Sequence, residues 1–486
     1  MVIAKVKKKL VIDQSTSGTK LLLVEISGDI RIIDRLDLPH KQIFPQQGWV
    51  EHDPKEIMSN VYLLLEQMLT KHTLLAADIE SLSITNQRET IVCWDKLTGE
   101  PIYNAIVWQC NRSVSLCNQL IDAGLENLIQ KKTGLKIDSY FSGSKVKWLM
   151  NSIPEMKKKV QQNRLAVGTM DSWLIWNLSN RQVFATEPSN ASRTLFYNIY
   201  EMQWDQELCE IFDVPITCLP EVRNSSDNFG NYQGISVTGI MADSQSALYG
   251  QKCIHPGDTK ATLGTGCSVM MQLGEDIKIQ NDKVLTTIAW SEAGQTNYAL
   301  EGIIRSFGDT LVWLRDSLGL IVDIEEAALE AFLQADSKGV YFIPAQLGLG
   351  APFWQPEARA RFVGMNRSTT KIDLIRASFD SMAFQIKAVI DEMELASGIK
   401  IAKIRVDGGA TKNQELMQLL ADLTQKSVVI GQAEELSALG VIRLVLTREG
   451  YRLSETLTNE REIKPTSSRY GGYYLKWKQL IESELI

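Results

Sequence analysis

The 486-residue chain reads as an α/β protein built from two similar domains flanking a substrate cleft. Length is the first reason: single hydrophobic cores stop growing at roughly 250–300 residues, so a chain of this size divides. Order is the second. An apolar run, a polar turn and an amphipathic helix recur in both halves, and that alternation is the pattern of α/β folds. The third reason is the placing of small residues. Three Gly- or Ser/Thr-rich turns each follow or border a β-rich run, the layout of a phosphate-binding turn. The boundary is expected near Tyr249-Gly250, giving domains 1–249 and 250–486.

The elements follow in order. Leu10 to Asp13 and Lys20 to Glu25 are apolar runs on either side of Gln14-Ser15-Thr16-Ser17-Gly18-Thr19, a β-hairpin pattern. Ser27-Gly28-Asp29 is a second turn, and Ile30 to Leu36 a third strand. Pro54 to Leu69 places Ile57, Val61, Leu64, Leu65 and Met68 on one helical face after Asp53, a good N-cap. Ile79 to Thr85 is a strand that delivers Asn86-Gln87-Arg88-Glu89-Thr90. In the second half Lys260-Ala261-Thr262 leads into Gly264-Thr265-Gly266, and Ser268 to Met271 follows. Helices are expected over Asp309 to Leu318, Ile372 to Leu395 and Gln414 to Thr424. A strand over Ile401 to Val406 ends in Asp407-Gly408-Gly409-Ala410.

Bulk properties narrow the function. A net charge of -7 argues against a broad nucleic-acid surface. The lysines Lys5, Lys7, Lys8 and Lys9 read as a solvated lead-in to the first strand. Seven cysteines without a C-x-x-C pair fit thiols in a reducing cytoplasm. No run approaches the ~20 apolar residues of a membrane helix. The four histidines are scattered and build neither a metal cluster nor a Ser-His-Asp order.

The polar turns carry the chemistry. Asp243, in Ile240-Met241-Ala242-Asp243-Ser244-Gln245, stands between two candidate phosphate loops and suits a base that takes a proton from a hydroxyl. In Asp13 to Lys20, backbone N–H groups of small residues can approach phosphate oxygens, and Asp13 can hold Mg²⁺ directly or through water. The spacing is not that of a Walker A loop. Gly264-Thr265-Gly266 and Asp407-Gly408-Gly409-Ala410 are the other two turns, and Asn413 can meet an adenine or ribose edge. The adjacent Arg88 and Glu89 pair a donor fork with an acceptor, as a small polyhydroxyl compound requires. Trp108 and Tyr140 can wall its C–H face. Taken singly, each turn is more often a plain turn and each ring more often core, while Arg88-Glu89 is equally a surface ion pair.

Together these segments resemble the FGGY carbohydrate kinases, and within that family the glycerol kinases. The likeness runs from about Val11 to about Gly440. Ile84-Thr85-Asn86-Gln87-Arg88-Glu89-Thr90, Pro101 to Gln109 and Ser189-Asn190-Ala191-Ser192-Arg193-Thr194 match nearly letter for letter. Tyr140 to Trp148 resembles the first family signature, and Ala360 to Asp380 fits the second. The resemblance implies two actin-like domains, of the hexokinase, Hsp70 and ribonuclease H-like kind, that close on substrate. It implies ATP and Mg²⁺, with Asp243 as general base and Asp13 organising the metal. Arg88, Glu89, Trp108 and Tyr140 match the polyol positions; Ser15, Thr16, Ser17, Lys20, Gly264, Thr265, Gly308, Gly409 and Asn413 fall to the nucleotide. The expected reaction is ATP-dependent phosphorylation of a terminal hydroxyl of a small polyol, glycerol foremost, by a cytoplasmic homodimer or homotetramer.

Two departures bear on the substrate. The family's glycerol kinases carry Gln after the catalytic Asp and Phe after the Gly-Thr-Gly-Cys loop; here they are Ser244 and Ser268. Lost apolar wall costs about 1–3 kcal/mol per contact, so a tetritol, pentitol or ketose is the alternative substrate. A shorter segment at Asn228 to Gly234 lacks the family's glycine-rich effector stretch and regulatory histidine. A catalytically silent actin-like sensor is the reading from another class, against which Asp13, Arg88, Glu89 and Asp243 all stand.

Overall fold

The computed structural model describes residues 7–27, 29–277, 281–431, 435–451 and 460–483. Lys5 of the basic lead-in and Gly28 of the second turn lie outside the described residues. Two compact units emerge. The first takes Met1–Lys252, Thr286–Tyr298 and Glu434–Glu455; the second takes Cys253–Leu285, Ala299–Ala433 and Thr456–Ile486.

In the first unit a six-stranded sheet runs in the order Asn231–Tyr232, Ile235–Ala242, Ile79–Asn86, Lys7–Gln14, Gly18–Ile26, Ile30–Pro39. The opening hairpin pairs antiparallel, with Asp13 opposite Lys20. Both faces of this sheet are covered, so its central strands read as unbroken apolar runs. Leu10, Ile12, Leu21 and Leu23 pack on Ile57, Val61, Leu64 and Leu65 of the helix Pro54–Lys71. Full burial of each such side chain contributes about 1.5–3 kcal/mol. Asp53 starts that helix, its carboxylate accepting from Lys55 N at 2.8 Å. The helix Leu436–Arg448 packs on the same sheet.

That late helix also lies against the helix Asp243–Gly250, and glycines permit the approach. A Cβ on Gly440 would fall 1.7 Å from Ser246 O, and one on Gly250 2.2 Å from Leu436 O. A smaller sheet of Glu51–His52, Ala105–Ile106, Ile91–Asp95 and Leu165–Thr169 carries Thr90 and Trp108 at its ends. Its strands have two to five residues, every one buried, so no alternation marked them in the sequence.

In the second unit Cys267–Gly274, Thr259–Leu263, Lys403–Asp407, Ser427–Ile430 and Arg461–Ile463 lie side by side. The expected helices appear as Gly308–Asp316, Lys371–Ser397 and Gln414–Thr424. Among the described residues no helix is long and apolar enough to cross a membrane. All seven cysteines are buried.

Candidate active site

Three adjacent parallel strands of the first unit end at one edge. Asp13 pairs with Thr85 and Gln14 with Asn86; across the same strand Met241 pairs with Thr85 and Ala242 with Asn86. Their carboxyl ends therefore deliver Asp13, the Gln87–Thr90 turn and Asp243 together. Ligands of open α/β sheets bind outside such carboxyl ends.

Asp243 is the first residue of the helix Asp243–Gly250, at the positive end of its dipole. Its Oδ1 accepts from Ser244 N at 2.6 Å and lies 3.4 Å from Arg88 Nε. The side chain keeps 35% exposure, against 1% for Glu89, and so is the more accessible of the two carboxylates. Ser244 beside it is half-buried.

Arg88 is buried. Nη1 reaches Gln245 Oε1 and Nη2 reaches Tyr140 Oη, both at 3.5 Å. Glu89 lies 3.9 Å from Arg88 Nε, but its close partner is Arg193, whose Nε donates to Oε1 at 2.6 Å. Glu89 sits at φ 61° with Thr90 N donating to Arg88 O at 2.7 Å, a strained three-residue turn. Trp108 and Tyr140 form a wall with ring centroids 5.3 Å apart.

Sequence reasoning missed what holds these groups. Trp108 Nε1 donates to Thr16 Oγ1 at 3.0 Å, tying the ring to the turn after Gln14. Gln87 N donates to Gln14 O at 2.7 Å and its Nε2 to Gln14 Oε1 at 3.0 Å, while Thr90 Oγ1 donates to Gln87 Oε1 at 2.9 Å. His52 Nε2 lies 2.8 Å from Gln42 Oε1, and burial holds the His52 imidazole neutral down to about 3. Lys145, fully buried, donates to the carbonyls of Ser139, Tyr140 and Phe141. Burial lowers its ammonium to about 8. Arg193 and Lys145 stood inside segments that matched the family; nothing in the sequence marked Glu435.

At the strand end, Asp13 is buried 3.8 Å from Lys20 Nζ, which also meets Glu435 Oε2 at 2.8 Å. Burial pushes the Asp13 carboxyl up to about 7; Lys20 opposes this, while Asp243 and Glu435 add to it. Glu435 also binds Arg35 at 2.6 Å. In the turn, the Ser15 N–H and hydroxyl both donate to Gly18 O, at 2.9 and 3.0 Å. The tight turn engages both Ser15 donors with Gly18 O in this conformation. Thr16 is half-buried and Ser17 exposed.

In the second unit the three glycine segments converge. Thr259–Leu263 and Lys403–Asp407 are parallel neighbours, Thr262 opposite Asp407. A Cβ on Gly408 would lie 2.4 Å from Leu263 O, and one on Gly308 2.6 Å from Gly264 O. Gly308 N donates to Gly264 O at 3.1 Å, and Phe307 N and Asp309 N to Thr265 O at 3.0 and 3.2 Å. The helix Gly308–Asp316 thus starts on the Gly264-Thr265 turn. Gly409 opens a short 3₁₀ turn, after which Asn413 Oδ1 caps the next helix at Leu416 N, 2.8 Å. Ser268 Oγ donates to the buried Glu301 at 3.1 Å.

Residues 9–250 match the model of the N-terminal domain of the FGGY family of carbohydrate kinases, and residues 259–447 its C-terminal domain. Glycerol kinase 1 of Thermotoga maritima is 40% identical over 492 residues, covering 98% of this chain and 99% of that one. A glycerol kinase of Plasmodium falciparum, solved with ADP, superposes with a TM-score of 0.91 at 33% identity, covering 99% of each chain. A xylulose kinase of Lactobacillus acidophilus shares the fold, with a TM-score of 0.84 at 21% identity over 99% of this chain and 97% of that one. With both family domains matched nearly end to end, this chain belongs to the FGGY family of carbohydrate kinases.

Proposed function

We propose that this chain transfers the γ-phosphoryl group of ATP to a terminal hydroxyl of glycerol, giving glycerol 3-phosphate, with Asp243 as general base. The observation that carries the reading is the delivery of Asp13, Arg88-Glu89 and Asp243 by the carboxyl ends of three adjacent parallel strands. Relatives that carry the name glycerol kinase across nearly their whole length supply the substrate.

Phosphoryl transfer asks mainly for positioning and charge stabilisation. Arg88 donates to substrate oxygen and Glu89 accepts from substrate hydroxyl, while Trp108 and Tyr140 cover the carbon chain. Asp243, oriented through its Oδ1, takes the proton as the hydroxyl attacks; the proton moves late in a loose transition state. Lys20 and the Thr16-Ser17 turn serve the phosphates. Gly264, Thr265, Gly308, Gly409 and Asn413 serve the nucleotide. Asp13 fits a hard divalent cation: it is a buried carboxylate whose charge Asp243 and Glu435 make costlier. Mg²⁺ held there supplies neutralisation of charge on the phosphate oxygens. A homodimer or homotetramer in the cytoplasm belongs to the same reading, and light scattering checks the assembly.

One observation favours a second reading. Ser244 leaves Asp243 with a small, half-exposed neighbour, room that a longer polyol or ketose could use. The test is ADP release with glycerol, a tetritol, a pentitol and a ketose. Glycerol is expected to give the highest kcat/KM by a wide margin. A longer substrate ahead of glycerol replaces the reading with the second one, and silence with every compound removes the catalytic assignment.

A further inference from the structure

Beneath the site, Glu187 is completely buried and accepts from several donors. Ser189 N donates to Oε2 at 2.9 Å and Asn190 N to Oε1 at 2.8 Å. Asn190 Nδ2 donates to Oε1 at 3.0 Å, Ser225 Oγ to Oε2 at 2.7 Å, and the Ser189 hydroxyl to Oε1 as well. Two of these donors reach onward. Ser189 Oγ accepts from Ala242 N at 3.0 Å, the residue before Asp243. Asn190 exchanges amide bonds with Asn86 at 2.9 and 3.1 Å, two residues before Arg88. Ser225 leads away, accepting from Ser291 N at 3.1 Å.

We propose that Glu187 is a positioning residue that sets the base and the polyol clamp from one carboxylate: Asp243 through Ser189, and Arg88 through Asn190 and Asn86. The direction of the hydroxyl proton is what makes this work. Ser189 has one O–H; committed to Glu187, it leaves a lone pair for Ala242 N–H. An amide at position 187 has one acceptor oxygen where the carboxylate has two, and its NH₂ points a donor at donors. The buried cluster then re-pairs, and Ala242 loses its acceptor. The inference rests on Asp243 being the base.

The test is steady-state kinetics with glycerol and ATP for Glu187→Gln, Ser189→Ala, Asn190→Ala and Ser225→Ala, beside Asp243→Asn. A misplacement of 1 Å can cost on the order of 100-fold in rate, so a partial shift is expected to cost about tenfold. Ser189→Ala lowers kcat about tenfold with the KM for ATP unchanged, and Asn190→Ala raises the KM for glycerol. Glu187→Gln does both. Ser225→Ala lowers the melting temperature and leaves kcat and KM in place. A purely structural role would lower stability in all four and split no kinetic constants. Wild-type kinetics in Ser189→Ala and Asn190→Ala overturn the proposal even if Glu187→Gln fails to fold. Near-normal turnover in Asp243→Asn overturns the base assignment and the proposal with it.

Discussion

In the first unit the groups proposed for the substrate are side chains that contact one another or their neighbours: Arg88 with Gln245 and Tyr140, Glu89 with Arg193, Trp108 with Thr16. In the second, the groups proposed for the nucleotide are largely backbone, brought close because Gly266, Gly308 and Gly408 have no Cβ. Side chains can titrate, rotate and exchange partners, so a site made of them needs a supporting network. Peptide groups do none of these things, and only close packing must be preserved. The first arrangement suits a ligand recognised by hydroxyl geometry, the second one recognised by phosphate and stacking.

Three measurements break or sharpen that contrast. The largest effect is expected from Asp243→Asn, which keeps shape and removes the base. General bases contribute about 10²–10⁴-fold, so kcat falls by that order while the KM for ATP stays within about twofold. Turnover within tenfold of wild type would sink the assignment. Next comes Gly308→Ala, where the new methyl meets Gly264 O at 2.6 Å. Overpacking costs about 1–3 kcal/mol, so the KM for ATP rises about tenfold or more with the KM for glycerol unchanged. A rise in the glycerol KM instead would show that the second unit's backbone is not confined to nucleotide.

The smallest effect concerns acid. Burial and neighbouring His40 hold the folded-state value for His52 at about 3, below the unfolded value near 6.5. Between those values the unfolded chain binds a proton that the folded chain refuses, so stability falls as pH drops below about 6.5 and is untouched above it. At pH 5 the difference is about 2 kcal/mol. His52→Gln keeps a polar group beside Gln42 and has no proton to gain. The fall in melting temperature from pH 7 to pH 5 therefore shrinks by a few degrees. An equal fall in both proteins would place the acid sensitivity elsewhere.

The sequence made the opening hairpin, the helix after Asp53 and the helix Gln414–Thr424 legible because each has a long periodic or alternating pattern bounded by caps or turns. Glycine turns were legible for the same reason that they pack closely: a missing side chain is visible in the letters. Asp243, Arg88 and Glu89 were legible through the family likeness. The supporting layer was not. The pairing of Glu89 with Arg193 joins residues 104 positions apart, and Lys20 with Glu435 joins residues 415 apart. No local periodicity encodes such contacts. The short strand Ala105–Ile106, which leads to Trp108, was too brief and too buried to show alternation.

The return of residues 434–455 to the first unit also has a consequence in time. Protein synthesis proceeds from the N-terminus, at roughly 5–20 residues per second, and domains generally fold as units. Here the unit that carries Asp243 contains a helix ending at Arg448, and Lys20 meets a partner encoded at Glu435. A nascent chain of 431 residues holds every group assigned to substrate and nucleotide, yet the surface of the helix Asp243–Gly250 that should meet Gly440 is bare. The helix that begins at Asp243 therefore gains its packing partner, Leu436–Arg448, only near the end of translation.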